Sequence, residues 1–123
     1  RAEAIVRAVL HQQEKRTGHS KRGSFKLWQE DSEPIDPNWA DFNACNLVEM
    51  LSRYETRLSP ELVEKSLAAL ELALKNIVRR QVFLKYTNMT LLSCEASILG
   101  GELLGNDSFV SHGWEKLKSW SDY

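Results

Sequence analysis

Hydrophobic positions between residues 85 and 105 predict a helix that is buried on almost every side. The apolar residues from Met89 to Leu104 cover too much of the helix circumference for one amphipathic stripe, so other helices must surround it. Polar residues crowd its first turn, where free N–H groups could face a ligand. Glu95 and Glu102 lie within this apolar pattern, so each is expected to need a hydrogen-bonding partner or to have a function.

Four further segments have helical patterns. Apolar residues recur at helical spacing over residues 2–15, and Asp36-Pro37 predicts the start of a second buried helix over residues 37–57. Ser59-Pro60 predicts the start of a surface helix over residues 60–81. Ser108 is the predicted cap of a last surface helix, with Trp114 and Trp120 turned inward.

The predicted helices alternate between surface and buried types. A shift of about 49 residues superposes Cys45 on Cys94 and Ser59 on Ser108, which predicts that helical hairpins repeat at that period. This indicates an all-α chain of antiparallel helical hairpins, in which Gly100-Gly101 permits a close helix contact. Residues 17–37 form a long connection, where residues 25–28 alternate like a short strand.

Composition and charge narrow the possible functions. With 123 residues and 42% hydrophobic content, the chain can form one packed domain over residues 1–123, or part of a larger one. A net charge of −1 argues against general nucleic-acid binding. No apolar run is long enough to cross a membrane, and no signal peptide is present. Because the chain begins with Arg1, we expect it to be a piece of a longer protein.

Cysteine and histidine positions do not predict a metal site or a cofactor. Cys45 and Cys94 fall in predicted buried helices and are expected to act as small hydrophobic residues. His11, His19 and His112 lack metal-ligand spacing, so we expect neither bound zinc nor another metal or cofactor.

Three short segments carry a resemblance to a known group of proteins. Together with the alternating helices, residues 23–31 (GSFKLWQED), 38–42 (NWADF) and 85–88 (KYTN) resemble the (α/α) toroid of carbohydrate-active enzymes. That group includes polysaccharide lyases and several families of glycoside hydrolases. The resemblance implies a carbohydrate substrate in a cleft formed by residues 23–43 and 85–90, with Trp28, Asn38 and Trp39 as substrate-binding residues. It also implies that the remainder of a parent chain, or a self-associating copy, completes the ring.

Two sets of residues are candidates for catalysis. Asp41 could act as an acid or base if Glu30 or Asp31 lay across the cleft, because glycoside hydrolysis needs a pair of carboxyl groups. It could equally be a first-turn acid that favours the helix dipole. Tyr86 and Asn88 would suit a lyase, with the amide neutralising a substrate carboxylate and the tyrosine transferring a proton.

Structural roles are open for the same residues. Asn88 could cap the helix or bridge buried backbone, and Tyr86 could pack under the preceding helix. Trp28 and Trp39 could belong to the core. The main rival function is a non-catalytic helical-repeat scaffold that binds a protein or peptide along its inner surface. A free-standing helical bundle without a cleft is the third possibility.

Overall fold

The computed structural model describes residues 1–80 and 83–123, and in these residues it is built from α-helices. There are five: α1 (Ala2–His11), α2 (Trp39–Tyr54), α3 (Pro60–Arg79), α4 (Thr87–Leu104) and α5 (Asp107–Ser121). A short 3₁₀ helix, Glu55–Arg57, follows α2. The predicted all-α class is confirmed, and each of the five helices lies in a segment with a predicted helical pattern. The predicted end of the third helix at Gln81 lies outside the described residues.

Glycines at the contact between α4 and α5 allow these two helices to pack closely. A Cβ atom on Gly101 would lie 2.9 Å from the backbone nitrogen of Val110, and one on Gly113 would lie 3.0 Å from that of Ile98. A Cβ on Gly100 would lie 2.9 Å from a methyl group of Leu74 on α3. The predicted close contact at Gly100-Gly101 is therefore confirmed, because both positions lack room for a side chain.

The hydrophobic core centres on α3. Leu62, Leu70, Leu74 and Ile77 place their side chains in this core with at most 1% of their surface exposed. Leu47 and Leu51 of α2 are also buried, and Leu10 joins the core from α1. The predicted stripe of α3 is thus the face on which the other helices pack.

Helices α2 and α4 pack against each other around Cys45. The Cys45 thiol lies 3.4 Å from the backbone oxygen of Leu92 and 3.9 Å from the Glu95 carboxylate. These partners are 47 and 50 residues further along the chain, on either side of the predicted period. Alternate helices in a series of antiparallel hairpins run parallel, so α2 and α4 begin at the same end of the molecule.

The prediction that α4 is buried on almost every side is wrong. Leu91 is 38% exposed and Leu99 is 40% exposed, and both acidic residues of the helix, Glu95 and Glu102, are also exposed. One stripe of α4 therefore faces solvent, and its carboxylates are hydrated there. Trp114 was expected inside but is 56% exposed on α5, because Phe109 and Gly113 form the buried side of that helix.

Two of the three predicted helix caps are wrong. Ser59 is confirmed, since its hydroxyl accepts a hydrogen bond from the Leu62 nitrogen at 3.4 Å. The cap of α5 is Asn106 rather than Ser108, with its side-chain oxygen accepting from the Phe109 nitrogen at 3.2 Å. The cap position of α2 is Asn38. Asp36 instead accepts the backbone N–H of Asn38 at 2.9 Å, which forms a turn before the helix.

The predicted first helix is too long, because the chain leaves α1 at His11 to form a tight connection. Gln13 and Phe25 form an isolated antiparallel bridge in place of the predicted strand. The Glu14 nitrogen donates to the Ser24 oxygen at 2.8 Å, and the Gly23 nitrogen donates back to the Glu14 oxygen at 2.8 Å. Gly23 has a φ of 94°, and a Cβ there would overlap the Leu72 carbonyl of α3. This glycine lets the connection lie directly against α3.

Candidate functional site

The residues predicted to form a cleft differ in how far they are exposed to solvent. Asp41 has no measurable exposure, whereas Tyr86 is 49% exposed and Asn88 is also exposed. Trp28 is 64% exposed on the long connection. Each residue is therefore described with the partners that it has in the structure.

Asp41 belongs to a buried ionic cluster at this end of the molecule. Its Oδ2 accepts a hydrogen bond from the Arg80 guanidinium, which follows α3. Arg80 Nε also donates to Asn76 Oδ1 at 3.0 Å, and Asn76 donates to the backbone oxygen of Arg22 at 2.9 Å. The cluster thus joins α2 and α3 to the long connection.

Lys116 of α5 extends the cluster toward α4. Its ammonium group donates to Ser93 Oγ at 3.1 Å, and its positive charge favours the ionised form of Asp41. Burial nevertheless raises the pKa of Asp41 above its ordinary value, against the opposing effect of Arg80 and Lys116. Burial also lowers the pKa of Lys116. The cluster brings together groups from four helices, and removing either Asp41 or Arg80 would leave its partner without the opposite charge.

The partner carboxylates proposed for Asp41 lie elsewhere. Glu30 is exposed on the connection, and Asp31 accepts the backbone N–H of Trp28 at 3.3 Å. The structure shows Asp41 with Arg80 rather than with a second acid. A catalytic role for Asp41 stays a prediction, and the contacts that are present are those of a structural ion pair.

Tyr86 and Asn88 stand at the exposed start of α4. Tyr86 occupies the cap position, and its backbone nitrogen donates to the Phe83 oxygen at 2.9 Å. The alternative in which Asn88 caps the helix is wrong, because no side-chain cap bond is formed there. Both side chains are accessible to a ligand, so the catalytic assignment of this pair also stays a prediction.

Trp39 lines an open groove between α1, the connection and the start of α2. This Trp39 groove has a volume of about 340 Å³. Trp39 packs against Phe42, with 5.6 Å between the ring centroids. The remaining lining includes both apolar and polar residues: Ile5, Ala8, Val9, Gln12, Phe25, Lys26, Leu27 and Asn43.

Two amide side chains give the Trp39 groove its polar edge. Asn43 Nδ2 donates to the Trp39 backbone oxygen at 2.9 Å, which fixes the orientation of its amide. Gln12 Oε1 is buried and accepts no hydrogen bond from the part of the chain that the structure describes. An indole and two amide side chains in one groove are suited to a ligand with both an apolar face and hydroxyl groups.

Sequence reasoning identified Trp39 but missed Gln12 and Asn43. Gln12 follows the apolar stripe of α1, and Asn43 lies one turn after Trp39. The helical spacing of Trp39 and Asn43 places them on one side of α2, which is the signal that could have found Asn43. Gln12 has no such local signal, since the fold brings α1 to α2.

Metal-binding, thiol and membrane-spanning features give no further candidate site in the described residues. Within residues 1–80 and 83–123, no group of three or more His, Cys, Asp or Glu side chains could hold a metal ion. Cys45 and Cys94 are free thiols, and burial raises the pKa of Cys45 to about 12. None of the described helices combines the length and apolar character needed to cross a membrane.

Comparison with protein-family models, curated proteins and solved structures gives no significant match to this chain.

Proposed function

We propose that the chain binds a saccharide in the Trp39 groove. The observation that supports this most directly is the meeting of the Trp39 indole with the Gln12 and Asn43 amides in one open groove. An aromatic ring can pack against the C–H face of a sugar, while amide groups both donate to and accept from its hydroxyls. The volume of about 340 Å³ lies within the range usual for ligand sites.

Lys26 and the exposed Trp28 suggest how a longer saccharide would lie. Lys26 lines the Trp39 groove and would favour a sugar that carries a carboxylate. Trp28 follows Leu27, another residue of the groove, and offers a second aromatic surface. Asn38 immediately precedes Trp39 and is half-buried. Together these residues support binding of an oligosaccharide, and chemical turnover is a separate proposal that involves Tyr86, Asn88 and Asp41.

Titration with defined oligosaccharides tests the binding proposal. Neutral and uronate-containing oligomers would be added to ¹⁵N-labelled protein, and amide shifts would be mapped while tryptophan fluorescence is followed. We expect saturable shifts at Gln12, Trp39 and Asn43. Gln12→Ala should weaken binding by roughly ten-fold, since ten-fold corresponds to the loss of one good polar contact.

Matched variants distinguish binding in the Trp39 groove from nonspecific binding to exposed tryptophan and glutamine side chains. Trp114→Ala removes an exposed indole of α5, and Gln29→Ala removes an exposed amide of the connection. Both should bind as the wild type does. Absence of binding by every oligomer, or equal losses in the control variants, would refute the proposal. For any oligomer that binds, new reducing ends or unsaturated products would report turnover, and Tyr86→Phe and Asp41→Asn would test the catalytic residues.

A scaffold that binds another polypeptide is the second candidate. The α2–α4 face consists of Phe42, Asn46 and Glu49 of α2 with Asn88, Leu91, Glu95, Leu99 and Glu102 of α4. Three of its large apolar side chains are between 38% and 40% exposed, which favours a protein contact. Amide shifts that change on dilution and are confined to this face would favour association through it, with a second copy or further helices as the occupant.

A further inference from the structure

A second groove lies on the side of α1 opposite the Trp39 groove. Ile5, Val9 and Gln12 face the Trp39 groove, whereas Arg7 and His11 face the other side of the helix. This α1–α3 groove runs between the two helices after which it is named and has a volume of about 460 Å³. Neither the predicted cleft nor the proposed saccharide site includes it.

The floor of the α1–α3 groove is apolar and includes small side chains. Leu10 and Ala69 are buried beneath it, Leu72 is half-buried and Ala68 is exposed. Alanines along α3 leave space above the helix, so the backbone of a third helix could approach closely. A floor of this kind accepts the apolar stripe of an amphipathic helix.

The rim of the α1–α3 groove is cationic. Arg7, His11 and Lys15 follow one another at intervals of four residues, and Lys65 faces them from α3. At one end Glu61 lies 3.5 Å from Arg7 and 2.7 Å from Lys65. At the other end neither His11 nor Lys15 forms an ion pair with any residue that the structure describes. The uncompensated positive charge at that end is therefore that of Lys15.

Gln13 gives independent evidence that the α1–α3 groove is a binding site. It lines the groove and is only 6% exposed. Its Nε2 donates to the backbone oxygens of Gly23 at 3.1 Å and Ala69 at 2.8 Å, which fixes the orientation of the amide. Its Oε1 is buried and has no hydrogen-bond donor among the described residues. Such an acceptor is costly to leave without a partner, and a donor from an occupant would relieve that cost.

We propose that the α1–α3 groove binds an acidic amphipathic helix of a partner protein. The apolar stripe of that helix would cover Leu72 and Ala68, and its carboxylates would pair with His11 and Lys15. A polar N–H or O–H group of the same helix would donate to Gln13. Charge complementarity selects an acidic occupant, and the width between two packed helices selects a helical one. This proposal is independent of the saccharide proposal, because the two grooves have no lining residue in common.

A synthetic peptide provides the direct test. The probe is a fluorescent peptide of about five helical turns, with leucines spaced to form one stripe and glutamates on both flanks. A scrambled peptide of the same composition and a peptide with lysine in place of glutamate are the matched probes. Fluorescence anisotropy should show saturable binding of the acidic amphipathic peptide alone. Its affinity should fall as salt is raised.

Variants locate the binding in the α1–α3 groove. Lys15→Glu reverses a rim charge and Ala68→Phe fills the floor, and each should weaken binding by roughly ten-fold. Lys118→Glu makes the same charge change on the exposed side of α5 and should have no effect. Because Lys15 and Ala68 are exposed, both variants should retain the helical circular dichroism of the wild type.

Four results would overturn the proposal. One is equal binding of the scrambled peptide, which would indicate attraction by charge alone. A second is an equal loss of affinity in Lys118→Glu. A third is binding of the peptide with amide shifts outside the α1–α3 groove. The fourth is binding of polygalacturonate or of vesicles containing anionic phospholipid at this groove when the peptide does not bind.

Discussion

The ion pair with Arg80 provides the buried Asp41 carboxylate with an opposite charge. Asp41 is completely buried, and the side chain of Arg80 is 22% exposed. Removing one member of such a pair leaves the other as an uncompensated charge. Asp41→Ala should therefore lower the free energy of unfolding by about 3–5 kcal/mol, measured by urea denaturation.

A double variant distinguishes the pair from simple loss of packing. Asp41→Leu combined with Arg80→Met replaces both charges by apolar side chains and should be less destabilised than Asp41→Ala alone. If Asp41→Ala instead costs less than about 1 kcal/mol, water already hydrates this site and the carboxylate is available for other chemistry.

The same residue shows what local sequence can reveal about the candidate site. A carboxylate in the first turn of α2 was predicted, because helix dipoles and N-terminal turns have recognisable patterns. Its partner stands 39 residues away and could not be identified, since the approach of the end of α3 depends on the whole fold. Trp39 was selected from its position, but Gln12 and Asn43 were not. The Trp39 groove exists only after α1 packs beside α2.

At the scale of the helices, Gly113 determines how closely α5 can approach α4. A Cβ atom at this position would lie 2.6 Å from Ile98 Cγ1 and 3.1 Å from the Cys94 backbone oxygen. In an exposed helix the change from Gly to Ala stabilises by about 0.5–1 kcal/mol. Here Gly113→Ala should instead destabilise by about 1–3 kcal/mol, because backbone atoms cannot move aside as a side chain can.

Ser111→Ala is the control for this prediction. Ser111 is exposed on the same helix and should change the free energy of unfolding by less than about 0.5 kcal/mol. Thermal or urea unfolding of both variants would show the difference. A more stable Gly113→Ala protein would mean that the two helices separate easily, contrary to the contact described above.

Helices were predicted better than their ends and their contacts. The apolar spacing of α3 and the Ser59-Pro60 start are local features, and both appear in the structure. Asn106, Asp107 and Ser108 can all cap a helix, so local chemistry could not choose Asn106 as the cap of α5. Composition suggested that α4 was surrounded, but burial is set by how many neighbouring helices the fold supplies. The close contact at Gly113 could not be predicted, because one glycine in an amphipathic pattern has several explanations.

At the scale of the whole molecule, acid should weaken the N-terminal part, residues 1–61, before it weakens α4. Three carboxyl groups of the N-terminal part have lowered pKa values in the folded state: Glu14 beside Arg16, Glu33 beside Lys21 and Glu61 beside Lys65. The pKa of Glu14 falls from its ordinary value of 4.5 to about 2. Its stabilising effect is therefore fully present above pH 4.5 and is lost as the pH falls toward 2.

The hairpin of α4 and α5 depends on different interactions. Its contact is formed by glycine, Ile98 and Val110, whose packing does not titrate. The nearby carboxyl group of Asp41 has a raised pKa, so acid converts it to the form that burial favours. Burial lowers the pKa of His112 on α5, so its protonation in acid weakens that helix. Loss of charge between pH 4.5 and 2 should thus loosen α1 and the connection more than it loosens α4.

Hydrogen exchange at a series of pH values measures this difference directly. Protection factors, corrected for the intrinsic exchange rate at each pH, should fall first for the amides of Glu14 and Gly23. These amides donate to the backbone oxygens of Ser24 and Glu14, respectively. Amides of α4 should keep their protection over the same range. Glu14→Gln should already show the weaker protection at pH 6 and change less on acidification, whereas Glu64→Gln on the exposed side of α3 should follow the wild type. Simultaneous loss of protection in every helix would mean that the chain opens as one cooperative unit, and the separate response of its two parts to acid would then be wrong.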